Sequence, residues 1–457
     1  MSALGRAVSR SRARAGAAFR GGPLASRSFR LLAGGQLTST IGDYCYDVAL
    51  PWLVLSTRGG TVLLGTVLAC YGIPRTVLIP VGGMLADRAS PRMVMLGADA
   101  ARCCLVAVMV LLALRHVTTL ALLGPVAAGL GAGAGLFIPA SFSIMPSLLD
   151  PARLQAGNAL NEAAVQLGSL TGPALGGILV ASAGSAPAFA VDAATFGVSA
   201  LTLALIRATT SRPAPAGGAG ADLPSAPEAG EGTAPAPAVP DAGTVWQLLR
   251  QERLLKLILA VSVAANFTFG GTFEVALPAL AHARFGAAGY GALIACFGAG
   301  AVTGTLAAAR KTALGRPAVV AFAAFLIESA AAGLIPFLGG LPGGCAACLA
   351  LGACNGFGNV IMLTLVQQWA PPRLLGRVMS LIMLASFGTF PLSVAISGVL
   401  VRSIGPAPFF PLSGAVLAVT VLLALGQREL RLLGAAPQQG PPGMPAQQAE
   451  AAGTELS

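Results

Sequence analysis

Apolar runs long enough to cross a lipid bilayer recur along most of this chain of 457 residues. A helix needs about 20 apolar residues to span the hydrocarbon core. Twelve segments reach that length, at approximately 32–56, 62–86, 93–114, 118–140, 154–182, 186–206, 254–281, 288–309, 317–337, 342–368, 376–401 and 406–427. Only 10% of the residues are charged, against about 25% in a soluble domain. The sequence therefore predicts an all-α integral membrane protein with twelve transmembrane helices.

A break without apolar runs divides these segments into two sets of six. Between Ser211 and Gly243 the chain has seven prolines and no aromatic residue, so this part cannot bury a hydrophobic core. Two halves with equal numbers of spans indicate a duplicated membrane unit. The predicted parts are a basic N-terminal tail (1–29), a first six-helix bundle (30–207), a disordered linker (208–249), a second six-helix bundle (250–427) and a C-terminal tail (428–457).

The positions of the basic residues predict the orientation. If both termini and the linker are cytoplasmic, 22 of the 28 Lys and Arg residues face the cytoplasm and only Arg58, Arg115, Arg284 and Arg402 face outward. Loops rich in Lys and Arg stay in the cytoplasm. We therefore expect a multi-pass protein of the plasma membrane. The net charge of +11 then belongs to these loops and to the N-terminal tail, not to a surface that binds nucleic acid.

The loop after the second apolar run carries Gly83, Asp87, Arg88 and Arg92 in the pattern G-x-L-A-D-R-x-x-x-R. Gly83 permits close helix approach, and Asp87 can pair with a cation or cap a helix N-terminus. The pattern resembles the signature between helices 2 and 3 of the major facilitator superfamily. An ordinary basic loop is the alternative, and the division into six plus six spans favours the superfamily.

The fifth apolar run carries a second pattern, formed by Gly168, Gly172, Pro173, Gly176 and Gly177. Glycines at i, i+4 and i+8 give a smooth face for a neighbouring helix, and Pro173 can kink its helix. The pattern resembles the antiporter signature in helix 5 of exporters in the same superfamily. Generic helix packing remains the alternative.

Three further stretches narrow the resemblance. They resemble the branch of the superfamily that contains macrolide efflux proteins and the enterobactin exporter, and they lie at 29–51, 158–160 and 375–378. The resemblance covers about 30–430 and implies the major facilitator fold. It also implies a cytoplasmic gate, formed by Gly83, Asp87, Arg88, Arg92, Gly376 and Arg377 and braced by Asp99 and Arg102 in helix 3. The corresponding loop of the second half, at 304–311, lacks the Asp, so the gate is expected to be asymmetric.

Charged side chains inside the spans are the candidates for energy coupling, because intramembrane ionisable groups are costly. Asp43 and Asp47 lie on one face of helix 1, and Asp43 is predicted at a depth similar to that of Arg75 on helix 2. We therefore expect a buried Asp43–Arg75 ion pair, either functional or structural. Asp47 and Glu274 have no evident cation, and desolvation favours their neutral form. These two are the favoured proton carriers.

Other polar residues within the spans have lower priority. Gln36 and Glu162 are further candidates for the wall of a substrate cavity. Asp192 and Glu328 fall on helices that the resemblance places at the periphery of the bundle.

The pattern as a whole favours a secondary active transporter that is not an enzyme. The chain has two histidines, no H-E-x-x-H or G-x-S-x-G motif and no phosphate-binding loop, which predicts no metal site and no cofactor. The expected function is proton-coupled efflux of a small amphiphilic drug or secondary metabolite by alternating access, by a monomer in the bilayer. The alternatives are an uptake permease of the same fold and a membrane receptor or transferase without transport.

Overall fold

The structure is a computed structural model that describes residues 23–56, 60–116, 118–149, 151–206, 253–310, 315–369 and 375–431. These residues form twelve long helices and no strand. The helices are α1 (Arg27–Leu55), α2 (Gly60–Arg88), α3 (Pro91–Leu114), α4 (Leu120–Leu148), α5 (Pro151–Ala183), α6 (Ser185–Leu205), α7 (Arg253–Arg284), α8 (Gly286–Arg310), α9 (Pro317–Leu334), α10 (Gly340–Trp369), α11 (Leu375–Ile404) and α12 (Pro406–Gly426). The predicted fold class is confirmed. The predicted linker and most of the two predicted tails lie outside the described residues.

Eleven of these described helices are long and apolar enough to cross a membrane, by length and composition. The exception is α1, which has 29 residues like its neighbour α2. Its sequence includes Gln36, Asp43 and Asp47, and these polar side chains lower its mean hydropathy. A helix of this kind is stable in a bilayer only where its polar face meets other helices or a water-filled space.

Glycine and proline set several helix boundaries. Pro91, Pro317 and Pro406 begin α3, α9 and α12 at a position where the missing N–H costs nothing. Gly184 joins α5 to α6 with φ +81°, and Gly405 joins α11 to α12 with φ +86°. Both turns need a backbone that only glycine adopts readily. They occupy equivalent places in the two sets of six helices.

The helix packing repeats in the same way. In the first half α1 packs against α5 and α6, α2 against α4, and α3 against α4 and α6. In the second half α7 packs against α11 and α12, α8 against α10, and α9 against α10 and α12. Each helix therefore has the same neighbours as the helix six places later. This is the arrangement of an internally repeated transporter bundle.

Two helix pairs provide most of the contact between the halves, α2 with α11 and α5 with α8. We call the end of the bundle where α6 finishes and α7 begins the linker end, and the other the far end. The contacts between halves lie toward the far end: Thr61 Oγ1 donates to the carbonyl of Gly398 at 2.9 Å, and the rings of Trp52 and His282 lie 4.7 Å apart. Near the linker end, the atoms nearest to Gly82 and Gly304 belong to helices of their own half. The halves are thus closed together at the far end.

Candidate functional site

A cavity of about 200 Å³ lies between the two halves at mid-bundle. Its wall comes from α2, α7 and α11, and consists of Gly72, Arg75, Thr76, Asn266, Phe269, Gly270, Glu274, Ser386, Phe387 and Phe390. We call this space the central cavity. Hydrogen bonds join its walls, because Thr76 Oγ1 donates to the carbonyl of Phe387 at 3.1 Å and Asn266 Nδ2 donates to Ser386 Oγ at 3.2 Å. The cavity combines one cation, one carboxylate and three phenylalanines.

Arg75 is the cation of this cavity. Its guanidinium lies over the ring of Phe387, 4.7 Å from the centroid, and 5.8 Å from the ring centroid of Tyr71. Its Nε is buried without a hydrogen-bond partner. A guanidinium over an aromatic face is held by the ring quadrupole. Arg75 thus reaches across from α2 toward the other half.

The predicted Asp43–Arg75 ion pair is wrong. The ion pairs among the described residues are Asp99–Arg102 and Arg253–Glu429. Asp43 lies within electrostatic range of both Arg102 and Arg75. The physical reason is rotation about the helix axis: the two residues have similar depths, but Arg75 points toward α11.

Glu274 lies between the halves, and Asp47, which is not part of the described cavity wall, lies within electrostatic range of it. Glu274 lines the central cavity and lies in a π-helical turn of α7, at Thr272–Ala276. Such turns add a residue to the helix and are frequent at functional sites. Asp47 is exposed although it lies within the bundle, and its carboxylate is in electrostatic range of Glu274, Asp43 and Arg75. Neither acid forms an ion pair in the described part of the chain.

Asp99 and Arg102 form a pair buried inside the first half. Asp99 also accepts a 2.6 Å hydrogen bond from Ser199 Oγ of α6. The Arg102 guanidinium lies between the rings of Phe137 and Phe196, 4.5 and 4.4 Å from their centroids. The pair links α3 to α4 and α6 within the first half, and its predicted role in bracing a gate stays a prediction.

This buried pair should control the stability of the first half. Because Asp99 is fully buried, Arg102→Met leaves its charge uncompensated, a loss of about 3–5 kcal/mol. We expect a clear fall in the thermal midpoint of the purified protein. The matched control is Arg253→Met, since Arg253 and Glu429 are 68% and 45% exposed and such pairs contribute about 0–1 kcal/mol. Equal midpoints for the two variants would contradict the assignment.

The predicted gate loop is anchored to its own half. Arg92 donates from Nε to the carbonyl of Leu203 and from its terminal nitrogen to the carbonyl of Ala204, both at 2.7 Å. A cation on the last carbonyls of α6 also complements the helix dipole. Arg88 is exposed and Gly83 approaches Pro139 of α4. The side chains of Asp87, Glu162 and Arg377, and the surroundings of Gly376, lie outside the description.

The glycines of α5 face two different helices. Gly168, Gly172 and Gly176 lie against Thr40, Ile41, Tyr44 and Cys45 of α1, inside the first half. Gly177 faces the other half, and a Cβ placed there would lie 2.9 Å from the carbonyl oxygen of Ala287 and 3.1 Å from the Cα of Gly291. The carbonyl of Pro173 crowds Gly291 from the same side. The same turn of α5 therefore packs against α1 within the first half and against α8 of the second half.

Sequence reasoning missed most of the cavity wall. The phenylalanines were not singled out because an apolar residue in a span can face lipid, a neighbour or a cavity. The one signal in the sequence was clustering: the chain is only 6% aromatic, yet Phe267, Phe269 and Phe273 fall within seven residues, and Phe387 and Phe390 within four. Gln36, a predicted cavity residue, is half-buried on α1 and is not part of the described cavity wall.

Comparison with known proteins identifies the family of the chain and several relatives of nearly the same length. The family model described as Major Facilitator Superfamily matches residues 32–390. The multidrug efflux pump Tap of Mycobacterium tuberculosis (strain H37Rv) is 26% identical over 420 residues, which cover 89% of this chain and 95% of Tap. The enterobactin exporter EntS of Salmonella choleraesuis is 26% identical over 411 residues, covering 88% and 92% of the two chains.

Solved structures agree on the fold. The nucleoside transporter NupG superposes with a TM-score of 0.65 at 14% identity, covering 87% of this chain and 99% of NupG. A bacterial homologue of the iron transporter ferroportin, in an inward-facing state, superposes with a TM-score of 0.63 at 15% identity, covering 87% and 97%. At these identities the likeness extends to the fold alone.

Proposed function

This chain belongs to the major facilitator superfamily, and we propose that it exports small amphiphilic compounds in exchange for protons. It is a multi-pass membrane transporter of small molecules. The observation that carries the proposal is the central cavity, which places Glu274 beside Arg75 and three phenylalanines between two halves. Aromatic walls with a few charged groups suit a substrate that has an apolar body and a polar or charged part.

The conformation suits loading from the cytoplasm. We place the protein in the plasma membrane. The excess of Lys and Arg in the loops at the linker end supports a cytoplasmic position for that end. The halves are joined at the far end, as Thr61 and Gly398 show. With that orientation the protein is closed toward the outside, and an exporter collects its substrate in this state.

Proton coupling is assigned to Asp47 and Glu274. The two carboxylates are in electrostatic range of each other, and a proton on one of them relieves the repulsion. Asp43 receives a different role, because it lies within electrostatic range of the buried Asp99–Arg102 pair. We assign Asp43 to the polar interior of the first half, as a structural member. A carrier acid must exchange its proton as the cavity changes sides, which suits Asp47 and Glu274.

The names of two relatives support the direction of transport. Tap is called a multidrug efflux pump and EntS an enterobactin exporter. Both align with almost the whole length of this chain. These names describe the two relatives. For this chain, the proposed substrate class comes from the chemistry of the central cavity.

The test is transport in inverted membrane vesicles from an efflux-deficient host. Ethidium, a fluorescent aromatic cation, and a panel of other amphiphilic drugs serve as probes. We expect vesicles with the chain to accumulate at least one probe when their lumen is acidified, and a protonophore to abolish that accumulation. Vesicles without the chain are the control.

Other outcomes separate the alternatives. If intact cells accumulate the probe and inverted vesicles do not, the chain is an uptake permease and not an exporter. Binding without flux in proteoliposomes would favour a receptor or transferase. Accumulation that survives the protonophore would contradict proton coupling while leaving transport in place.

A further inference from the structure

A second, much smaller cavity of about 20 Å³ is lined wholly by residues of the second half. Its wall comes from α7, α9, α10 and α12, and its polar members are Thr268, Thr272, Glu328 and Ser413. Each of these four residues is at least nine-tenths buried. A volume of this size holds one water-sized particle. We call it the inner cavity.

The hydrogen bonds around the inner cavity use up its donors. Thr268 Oγ1 donates to the carbonyl of Ala264 at 2.9 Å. Ser413 Oγ donates to the carbonyl of Thr268 at 3.3 Å and lies 2.7 Å from Thr272 Oγ1. Either hydroxyl can donate in that second pair, and with the Ser413 hydrogen on the Thr268 carbonyl the donor is Thr272. Each hydroxyl has a single hydrogen. The hydroxyl oxygens of Thr268 and Thr272 therefore keep only lone pairs for an occupant.

Glu328 adds a carboxylate oxygen with no partner. Its Oε1 accepts a 3.0 Å hydrogen bond from Asn355 Nδ2, whereas Oε2 is buried and has no partner. Glu328 is 6% exposed, and no Lys, Arg or His lines the cavity. The thiol of Cys354 lies within electrostatic range of this carboxylate. A buried carboxylate without a cation is unfavourable unless a ligand neutralises it.

We propose that the inner cavity is a sodium-binding site, with Glu328 Oε2 and the hydroxyl oxygens of Thr268 and Thr272 as ligands. The site presents acceptors alone, which is what a hard cation requires. A single carboxylate balances a single positive charge, and the volume suits an ion no larger than a water molecule. The occupant is therefore a small monovalent cation.

The site also has a structural route to the central cavity. Thr272 is the first residue of the π-helical turn that contains Glu274, so a single residue, Phe273, separates a ligand of the inner cavity from a wall residue of the central cavity. Phe269 lines both cavities. An ion on Thr272 would fix the conformation of this turn and so the position of the Glu274 side chain.

The test uses the purified full-length chain in detergent, with sodium, potassium or choline chloride at equal ionic strength. A ligand that binds the folded state raises its thermal midpoint. We expect a midpoint that rises with sodium, saturates, and does not rise with potassium or choline. Equilibrium dialysis with radioactive sodium should give one bound ion per chain.

Two variants locate the ion. Glu328→Gln should abolish both the sodium-specific shift and the bound sodium. Ser329→Ala should keep them, since Ser329 is the next buried residue of α9 and donates to its own helix at Phe325. Equal midpoints in the three salts with no bound sodium would overturn the proposal and leave a protonated Glu328. A sodium shift that persists in Glu328→Gln would overturn it as well. If Glu328→Gln does not fold, the dialysis on the unmodified chain decides.

Discussion

Replacing Glu274 with Gln should abolish export against a gradient while exchange of substrate down its own gradient continues. Gln keeps the size and hydrogen-bonding capacity of the side chain, but it cannot release or take up a proton. Glu274 is the carboxylate in the wall of the central cavity, so this variant removes the proton carrier and leaves the aromatic walls intact. Drug accumulation in inverted vesicles and counterflow in proteoliposomes measure the two activities separately.

Asp47→Asn should give the same pattern, because Asp47 and Glu274 act on each other electrostatically. The matched control is Glu274→Asp, which keeps a titratable group and should keep pumping. Asp43→Asn should leave coupling in place, because Asp43 is outside the described cavity wall and lies within electrostatic range of the buried Asp99–Arg102 pair. If Glu274→Gln and Asp47→Asn both pump normally, the coupling assignment is wrong.

Gly177→Ala should force the halves apart at the far end. The added Cβ would lie 2.9 Å from a backbone oxygen of α8, and backbone cannot move aside without moving the helix. Overpacking of this kind costs about 1–3 kcal/mol, which shifts a two-state equilibrium about 5- to 150-fold. We expect transport to fall and the state open at the far end to become more populated.

Trp52 reports on that opening, because its ring contacts His282 across the far end. In a background with Trp246→Phe and Trp369→Phe, Trp52 is the only tryptophan, and its quenching by acrylamide should increase in Gly177→Ala. Gly97→Ala is the control, since no atom lies within 4 Å of a Cβ at Gly97. Unchanged quenching in Gly177→Ala would show that the α5–α8 contact does not hold the far end closed.

The sequence predicted the depth of residues along the bundle axis better than the direction in which their side chains point. Residue counts along a helix give depth at about 1.5 Å per residue, and on this basis Arg75 was placed in mid-membrane, where it lines the central cavity. The direction of a side chain depends on rotation about the helix axis, which packing decides. This is why the ion pair with Asp43 was wrong, while the Asp99–Arg102 pair, at i and i+3 on one helix, could be read locally.

The position of a helix in the bundle is a poor guide to the burial of its residues. Asp192 and Glu328 were given little weight because their helices were expected at the periphery. Asp192 is 1% exposed and has an unpartnered Oδ1, and Glu328 lines the inner cavity. A peripheral helix still turns one face inward, and α6 and α9 carry their acidic residues on that face. Sequence alone does not reveal which face this is when most residues of the helix are apolar.

The pairing of α2 with α11 and of α5 with α8 bears on the ancestry of the chain. Since α8 is the counterpart of α2, and α11 the counterpart of α5, both contacts are one contact made twice. An interface with this property is isologous, as in a two-fold symmetric homodimer. A single six-helix polypeptide could therefore have assembled with a copy of itself before the two were joined. Joining them then allowed one copy to keep Arg75 and the other Glu274, so that the two sides of the central cavity acquired opposite charges.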